Sequence, residues 1–309
     1  MIAQRPTWLA LGLPLPLVLA LTLAVSTQVG GCSAVMQHLS EHSPLGALAV
    51  GGVRAAGHQL PISEEEELAY GGAIAVMVVQ KYGGVVEDEA LLRYVALVGN
   101  AVASVSDRPK LRYHFAVLDS DQVNALAAPG GYIFITRGAL ALMKSEAELA
   151  GVLAHEVGHV TAKHALKIIQ NLKSARAVTN AAASAWKDAA AFSAVVDGFI
   201  ADFLEKGLPK DTEFEADLIG TRLIAQVGYH PRGLRDFLKT MADAHKATPH
   251  SKFAATHPDT GRRLSLIDAE LKQLGGLDGP RNAERFVAQT RPAAKPPTAA
   301  APVSAERRP

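Results

Sequence analysis

Ser145-Glu146-Ala147-Glu148-Leu149-Ala150-Gly151-Val152-Leu153-Ala154-His155-Glu156-Val157-Gly158-His159-Val160 decides how this chain is read. Ser145 and Glu148 have the spacing of a capping box, the signature of a helix start. Leu149, Val152, Leu153, Val157 and Val160 then form an apolar stripe at helical spacing, so an amphipathic helix is expected over roughly 146–170. Four residues of helix bring His155 and His159 nearly one turn apart, so both imidazoles can reach one metal ion. Glu156 lies about 100° round the same helix, beside such an ion but not aimed at it. That offset suits a general base working on water at zinc. A chance match on a polar helix face is the bland alternative, and the cap and stripe weigh against it.

A hydrolytic zinc takes three protein ligands and keeps one position open. The third ligand is sought in Asp211-Thr212-Glu213-Phe214-Glu215-Ala216-Asp217. On a helix, Glu213 and Asp217 share a face, while Glu215 points roughly 200° away from Glu213. Glu213 is then the candidate ligand, and Asp217 can accept a hydrogen bond from a ligand imidazole. An acidic first turn favoured by the helix dipole explains the same residues. Spacing alone leaves both readings open.

The rest of the chain supplies the frame. Its 309 residues are 49% hydrophobic with a net charge of +1, enough for one sizeable core with tails. No basic stripe stands out, so nucleic acid is not expected as a partner. Ser63 and Glu66 form a second capping box, opening a helix that runs to Tyr82 before Gly83-Gly84 stops it. Another helix is expected over Glu87 to Val105. Strands are expected over Leu111 to Leu118 and Tyr132 to Thr136, with Pro129-Gly130-Gly131 as a turn and the two strands pairing antiparallel. An edge strand ahead of the metal helix can hold an extended peptide by main-chain hydrogen bonds, or it can simply be covered. Residues 171–206 are Ala-rich and helical in tendency, and read either as a lid or as a packed helical pair. Further helices start near Asp211 or Thr212, at Pro231 and at Pro258.

At the N-terminus, Arg5 precedes an apolar run from Trp8 to Val25, interrupted by Pro14 and Pro16, which leads into Val29-Gly30-Gly31-Cys32. This resembles a bacterial lipoprotein signal peptide, with Cys32 as the lipidated residue and new N-terminus. A simple secretory signal or an uncleaved anchor is the alternative. Ser33 after the cysteine resembles the signal for outer-membrane sorting. No later stretch reads as a bilayer span, since Ala189 to Leu204 is short and carries Asp197 and Asp202.

His155-Glu156-x-x-His159 together with Glu213-x-Glu215-Ala216-Asp217 resembles the HtpX- and BepA-type zinc endopeptidases, which also include the prenyl-protein endopeptidases. Pro129-Gly130-Gly131-Tyr132-Ile133, Gly228-Tyr229-His230-Pro231-Arg232-Gly233-Leu234 and Thr256-His257-Pro258 extend the resemblance over roughly residues 60–272. The resemblance implies that His155, His159 and Glu213 bind one Zn2+ and that Glu156 is the base. It implies a mainly α fold with a small antiparallel sheet, in the zincin manner. With the lipobox, it points to the periplasmic lipoprotein branch: an envelope endopeptidase acting on unfolded or misassembled periplasmic and outer-membrane proteins. A membrane partner through Cys32 and the outer-membrane protein assembly machinery are then expected contacts. The expected location is the periplasmic face of the outer membrane, or the soluble periplasm if Cys32 is not lipidated. The rival expectation is a chaperone-like assembly factor that cuts rarely or not at all. His257 either stands near the zinc or caps a helix, and His230 departs from the aspartate expected there and is given no role. His114, His164, His245 and His250 lack partner spacing and read as solvent-facing or packing residues. The expected divisions are a signal peptide over 1–31, a lipidated tether over 32–60, the metallopeptidase domain over 61–275 and a disordered Ala/Pro-rich tail over 276–309.

Overall fold

A computed structural model of the chain describes residues 61–179, 189–247 and 260–290, all within one unit spanning Gln59–Pro309. In chain order the elements are α1 (Glu64–Lys81), α2 (Glu89–Ala103), β1 (His114–Leu118), β2 (Ala125–Ala128), a 3-10 turn (Pro129–Gly131) and β3 (Tyr132–Thr136). There follow α3 (Arg137–Leu142), α4 (Glu146–Thr161), α5 (His164–Thr179), α6 (Ala189–Lys206), α7 (Lys210–Gln226), α8 (Gly233–Ala247), α9 (Thr260–Gln273) and α10 (Ala283–Thr290). The fold is mainly α with one small sheet, as the sequence implies.

Local chemistry sets the helix ends. At α1 the Ser63 hydroxyl accepts the Glu66 N–H and the Glu66 carboxylate accepts the Ser63 N–H, a complete capping box. At α4 only half of the box forms. Ser145 accepts the Glu148 N–H, but the Glu148 carboxylate takes the Lys144 N–H instead. The metal helix is also shorter than its apolar period suggests, because Lys163 enters the left-handed region at φ 58° and α5 begins afresh at His164. A side chain with a Cβ adopts that conformation less readily than glycine, so the break carries a local cost.

The sheet corrects one expectation. Its order is β1-β3-β2, and β1 pairs with β3 in parallel, His114 opposite Tyr132 and Leu118 opposite Thr136. The antiparallel partner of β3 is β2, with Ala125 opposite Ile135 and Ala128 opposite Tyr132. The hairpin is therefore β2–turn–β3, built on Gly130 and Gly131 at φ 73° and 87°. β2 went unread because Ala-Leu-Ala-Ala shows none of the β-branched or alternating character that marks a strand. Pairing with β3 supplies what propensity lacks.

Alternation across this sheet divides two cores. Ile133, Ile135, Ala125 and Ala127 face a cluster with α2, α4, α7 and α8, while Phe134, Leu126 and Ala128 face one with α1, α5 and α6. α4 is the hub, packed on α2, α7 and α8. Its crossing with α7 is close because Gly220 carries no side chain: a Cβ there would stand 2.9 Å from the His155 backbone nitrogen. The packed-pair reading of 171–206 fits what is described, since α5 and α6 pack together and α6 also rests on α1. The buried Lys173–Glu66 pair, at 2.6 Å, fastens α5 to the start of α1.

The expected tail from 276 onward gives way to structure as far as 290. α10 packs back on α2 and α4, with Phe286 buried and Arg285 and Asn282 both bonded to the buried Glu146 carboxylate. One aromatic and one ion pair hold a segment whose composition alone reads as polar. No helix among the described residues is long and apolar enough to cross a membrane.

Candidate metal centre

α4 and α7 meet so that three donors converge. The Nε2 atoms of His155 and His159 lie 3.0 Å apart. Glu213 places Oε2 at 3.5 Å from His155 Nε2 and Oε1 at 3.3 Å from His159 Nε2. All three residues are buried, and among the described residues they are the one group of ligating side chains gathered this closely, within 4.8 Å. A tetrahedral zinc with bonds of about 2.0–2.2 Å separates its donors by about 3.3–3.6 Å, so the spacing fits that ion with little adjustment. Two imidazoles and a carboxylate are also a donor set that zinc accepts. The charge balance agrees. Glu156, Glu213 and Asp217 bring three buried carboxylates against one buried guanidinium, Arg263, and a divalent cation closes the difference.

Glu213 sits in the first turn of α7, where Pro209 is the N-cap and makes no side-chain bond. Neither Asp211 nor Thr212 caps the helix; the Thr212 hydroxyl donates to the Pro209 carbonyl. An acidic first turn serving only the dipole would stay solvated, as Asp211 does, but Glu213 is 0% exposed. One turn on, Asp217 Oδ1 stands 2.9 Å from His155 Nδ1, so the carboxylate can accept that N–H. Arg263 on α9 grips Asp217 with two bonds of 2.7 Å and reaches Glu213 Oε2 at 3.3 Å. These contacts hold the Asp217 carboxyl below the usual range, against the opposing effect of burial.

His159 is oriented differently. Its Nδ1 faces His164 Nδ1 at 2.9 Å, and His164 Nε2 faces Glu215 Oε2 at 3.1 Å. His164 is therefore neither solvent-facing nor a mere packing residue: it is buried and bonded to the metal helix. Sequence reading missed it because a helix-period search looks three or four residues from His159, and His164 lies five away across a helix break. Arg263 was missed as well. It lies 46 residues beyond Asp217, and no local pattern marks it.

In the metal-free protein the two imidazoles titrate apart. Burial disfavours charge on both rings. At His155 the bonds to Asp217 and Glu213 outweigh it and raise the pKa to about 9. At His159 burial prevails over the Glu213 contact, helped by the neighbouring His155 and His164, and the pKa is pushed down to about 3. A metal requires both rings neutral, so its binding displaces the His155 proton.

Glu156, His159 and Glu213 share a small cavity with Ala125, Leu126 and Ala127 of β2 and with Phe203, Gly207 and Leu208 from the α6–α7 junction. The space is about 10 Å³, room for one water and too small for a peptide. His114 stacks on Tyr132, and the His230 ring accepts the Arg232 N–H, both away from the centre. His257, His250 and Cys32 fall outside the described residues, as do details of the His245 side chain.

A mainly helical fold in which a His-Glu-x-x-His helix and a downstream glutamate enclose one metal position is that of a zinc metallopeptidase. Residues 89–271 match the model of peptidase family M48, and the chain belongs to that family of zinc enzymes. It is similar to the beta-barrel assembly-enhancing protease of Escherichia coli (strain K12), 26% identical over 220 residues, covering 68% of this chain and 44% of that protein. The protein of the same name from Yersinia pestis is 26% identical over 214 residues, covering 66% and 43%. The mitochondrial metalloendopeptidase OMA1 of Schizosaccharomyces pombe is 29% identical over 182 residues, covering 58% and 53%. The chain thus spans about half or less of the length of these curated relatives.

Proposed function

We propose that this protein is a zinc-dependent endopeptidase of the bacterial cell envelope that hydrolyses unfolded or misassembled proteins, those of the outer membrane among them. The observation that carries the reading is the convergence of His155 Nε2, His159 Nε2 and a fully buried Glu213 carboxylate beside Glu156. His155, His159 and Glu213 hold the zinc, and Glu156 is the general base. Zinc in such a site lowers the pKa of a bound water to about 7 and polarises a peptide carbonyl. Glu156 takes the proton of the attacking water and returns it to the leaving amine. Asp217, itself clamped by Arg263, keeps His155 in the tautomer that offers Nε2 to the metal.

β2 is an edge strand that lines the same cavity as Glu156, so an extended substrate segment can pair with it once Phe203 and Leu208 withdraw. That requirement favours substrates with unfolded stretches. The names of the two bacterial relatives support a role in outer-membrane protein assembly. Cys32 carries the lipid anchor in this reading and tethers the domain to the periplasmic face of the outer membrane.

Purified protein incubated with unfolded casein, with and without chelator, tests the activity. Cleavage that chelator abolishes supports the protease. Glu156→Gln is expected to retain zinc and lose cleavage, and turnover persisting in that variant removes the base assignment. Stable binding of casein without cleavage supports instead the chaperone-like assembly factor.

A further inference from the structure

The hydrogen bonds around His159 set its tautomer by elimination. Two ring nitrogens 2.9 Å apart share one proton between them, so one must donate and the other accept. His159 Nε2 points at His155 and Glu213 and must keep its lone pair for the metal. Its proton therefore sits on Nδ1 and is donated to His164 Nδ1. His164 must then carry its own proton on Nε2, which faces Glu215 Oε2 at 3.1 Å. A carboxylate only accepts, so Glu215 selects that tautomer of His164. The chain runs from a ligand side chain 2% exposed, through His164 at 0%, to Glu215 at 55%.

A second observation, from the backbone, points the same way. The metal helix ends at Thr161, and Lys163 takes φ 58° before α5 begins at His164. Non-glycine residues held in that region mark places where the surroundings over-determine the conformation. The turn brings the His164 ring back under His159, which a continuous helix cannot do at a spacing of five.

We propose that His164, itself set by Glu215, is the positioning residue for His159 and tunes how tightly the zinc is held. This rests on the zinc reading of the site given above. His164 replaces the carboxylate or carbonyl that usually receives the second N–H of a ligand histidine. His155 has that more usual partner in Asp217, so the two ligand rings are supported by different chemistry.

The test is zinc affinity of the full-length protein, measured by competition with a chromophoric chelator. His164→Leu keeps apolar bulk but offers no acceptor, whereas His164→Asn places an amide oxygen where Nδ1 stands. His164→Leu is expected to weaken zinc binding about 10- to 100-fold, with His164→Asn restoring it to within about threefold of the original chain. With cobalt in place of zinc, the visible bands are expected to shift in the leucine variant and to return in the asparagine variant. The melting temperature of the metal-free protein is expected to match in the two variants. Zinc affinity of His164→Leu within about twofold of the original chain overturns the proposal. So does an equal loss in both variants that follows their metal-free melting temperatures, since that is a packing effect. Failure of the unsubstituted protein to bind one zinc per chain is a different result, and it removes the zinc reading itself.

Discussion

Arg263→Leu is the most demanding perturbation of the centre. Arg263 is 0% exposed, makes two bonds of 2.7 Å to Asp217 and stands 3.3 Å from Glu213. Asp217 and Glu213 are both 0% exposed, so water cannot replace the lost guanidinium. Breaking one partner out of a buried pair costs about 3–5 kcal/mol, because the remaining charge is stranded. For a domain of this size each kcal/mol moves the melting temperature by about 2–4 °C, so a fall of about 6–20 °C is expected in the metal-free protein. Zinc is expected to recover part of the loss, since a divalent cation compensates the same carboxylates. Adding Asp217→Asn to the leucine variant removes the stranded charge and is expected to recover about half of the deficit. Thermal denaturation of the three proteins, with and without zinc, measures each quantity. A metal-free Arg263→Leu protein within about 1 kcal/mol of the original, or a double variant no better than the single, refutes the charge-balance reasoning.

Other outcomes follow from the same geometry. Glu213→Ala is expected to release most of the zinc in a metal assay, whereas Glu215→Ala keeps one ion per chain, because Glu215 touches the centre only through His164. Zinc affinity is expected to rise with pH. His155 in the metal-free protein has its pKa raised to about 9, so below that pH zinc must displace a proton, at about tenfold in apparent affinity per pH unit up to about 9 and none above. The proton-linked stability of the metal-free protein runs the other way, fully present below about 6.5 and lost as pH rises through about 9. His159, pushed down to about 3, stays neutral and adds nothing in this window. Chelator competition across that range, with a flat profile as the refuting result, decides the point. Gly220→Ala is expected to cost about 1–3 kcal/mol in thermal denaturation, since its Cβ would lie 2.9 Å from the His155 nitrogen and push α7 from α4.

Periodic elements and local caps were legible in the sequence. The Ser63 box and the Tyr132–Thr136 strand appear where local chemistry puts them. β2 was not legible, because an alanine run becomes a strand only when a neighbour supplies its hydrogen bonds, and without β2 the sheet reads as antiparallel. The helix break at Lys163 was hidden for a similar reason. The apolar stripe continues past it, and the left-handed residue that ends the helix carries no mark in the period.

The sequence by itself pointed to the metal chemistry: a helical period carries His155 and His159 to one face with Glu156 about 100° round from it, and that period is a property of the local chain. Spacing alone offered Glu213 as one of two readings, since an acidic first turn has the same spacing as a ligand, and only the family resemblance favoured the ligand. Tertiary structure buries Glu213 against both imidazoles, as a ligand would be, and it alone brought in Arg263, His164 and the cavity wall formed by Phe203 and Leu208. Those residues act through contacts between distant segments, and such contacts leave no period in the chain to read.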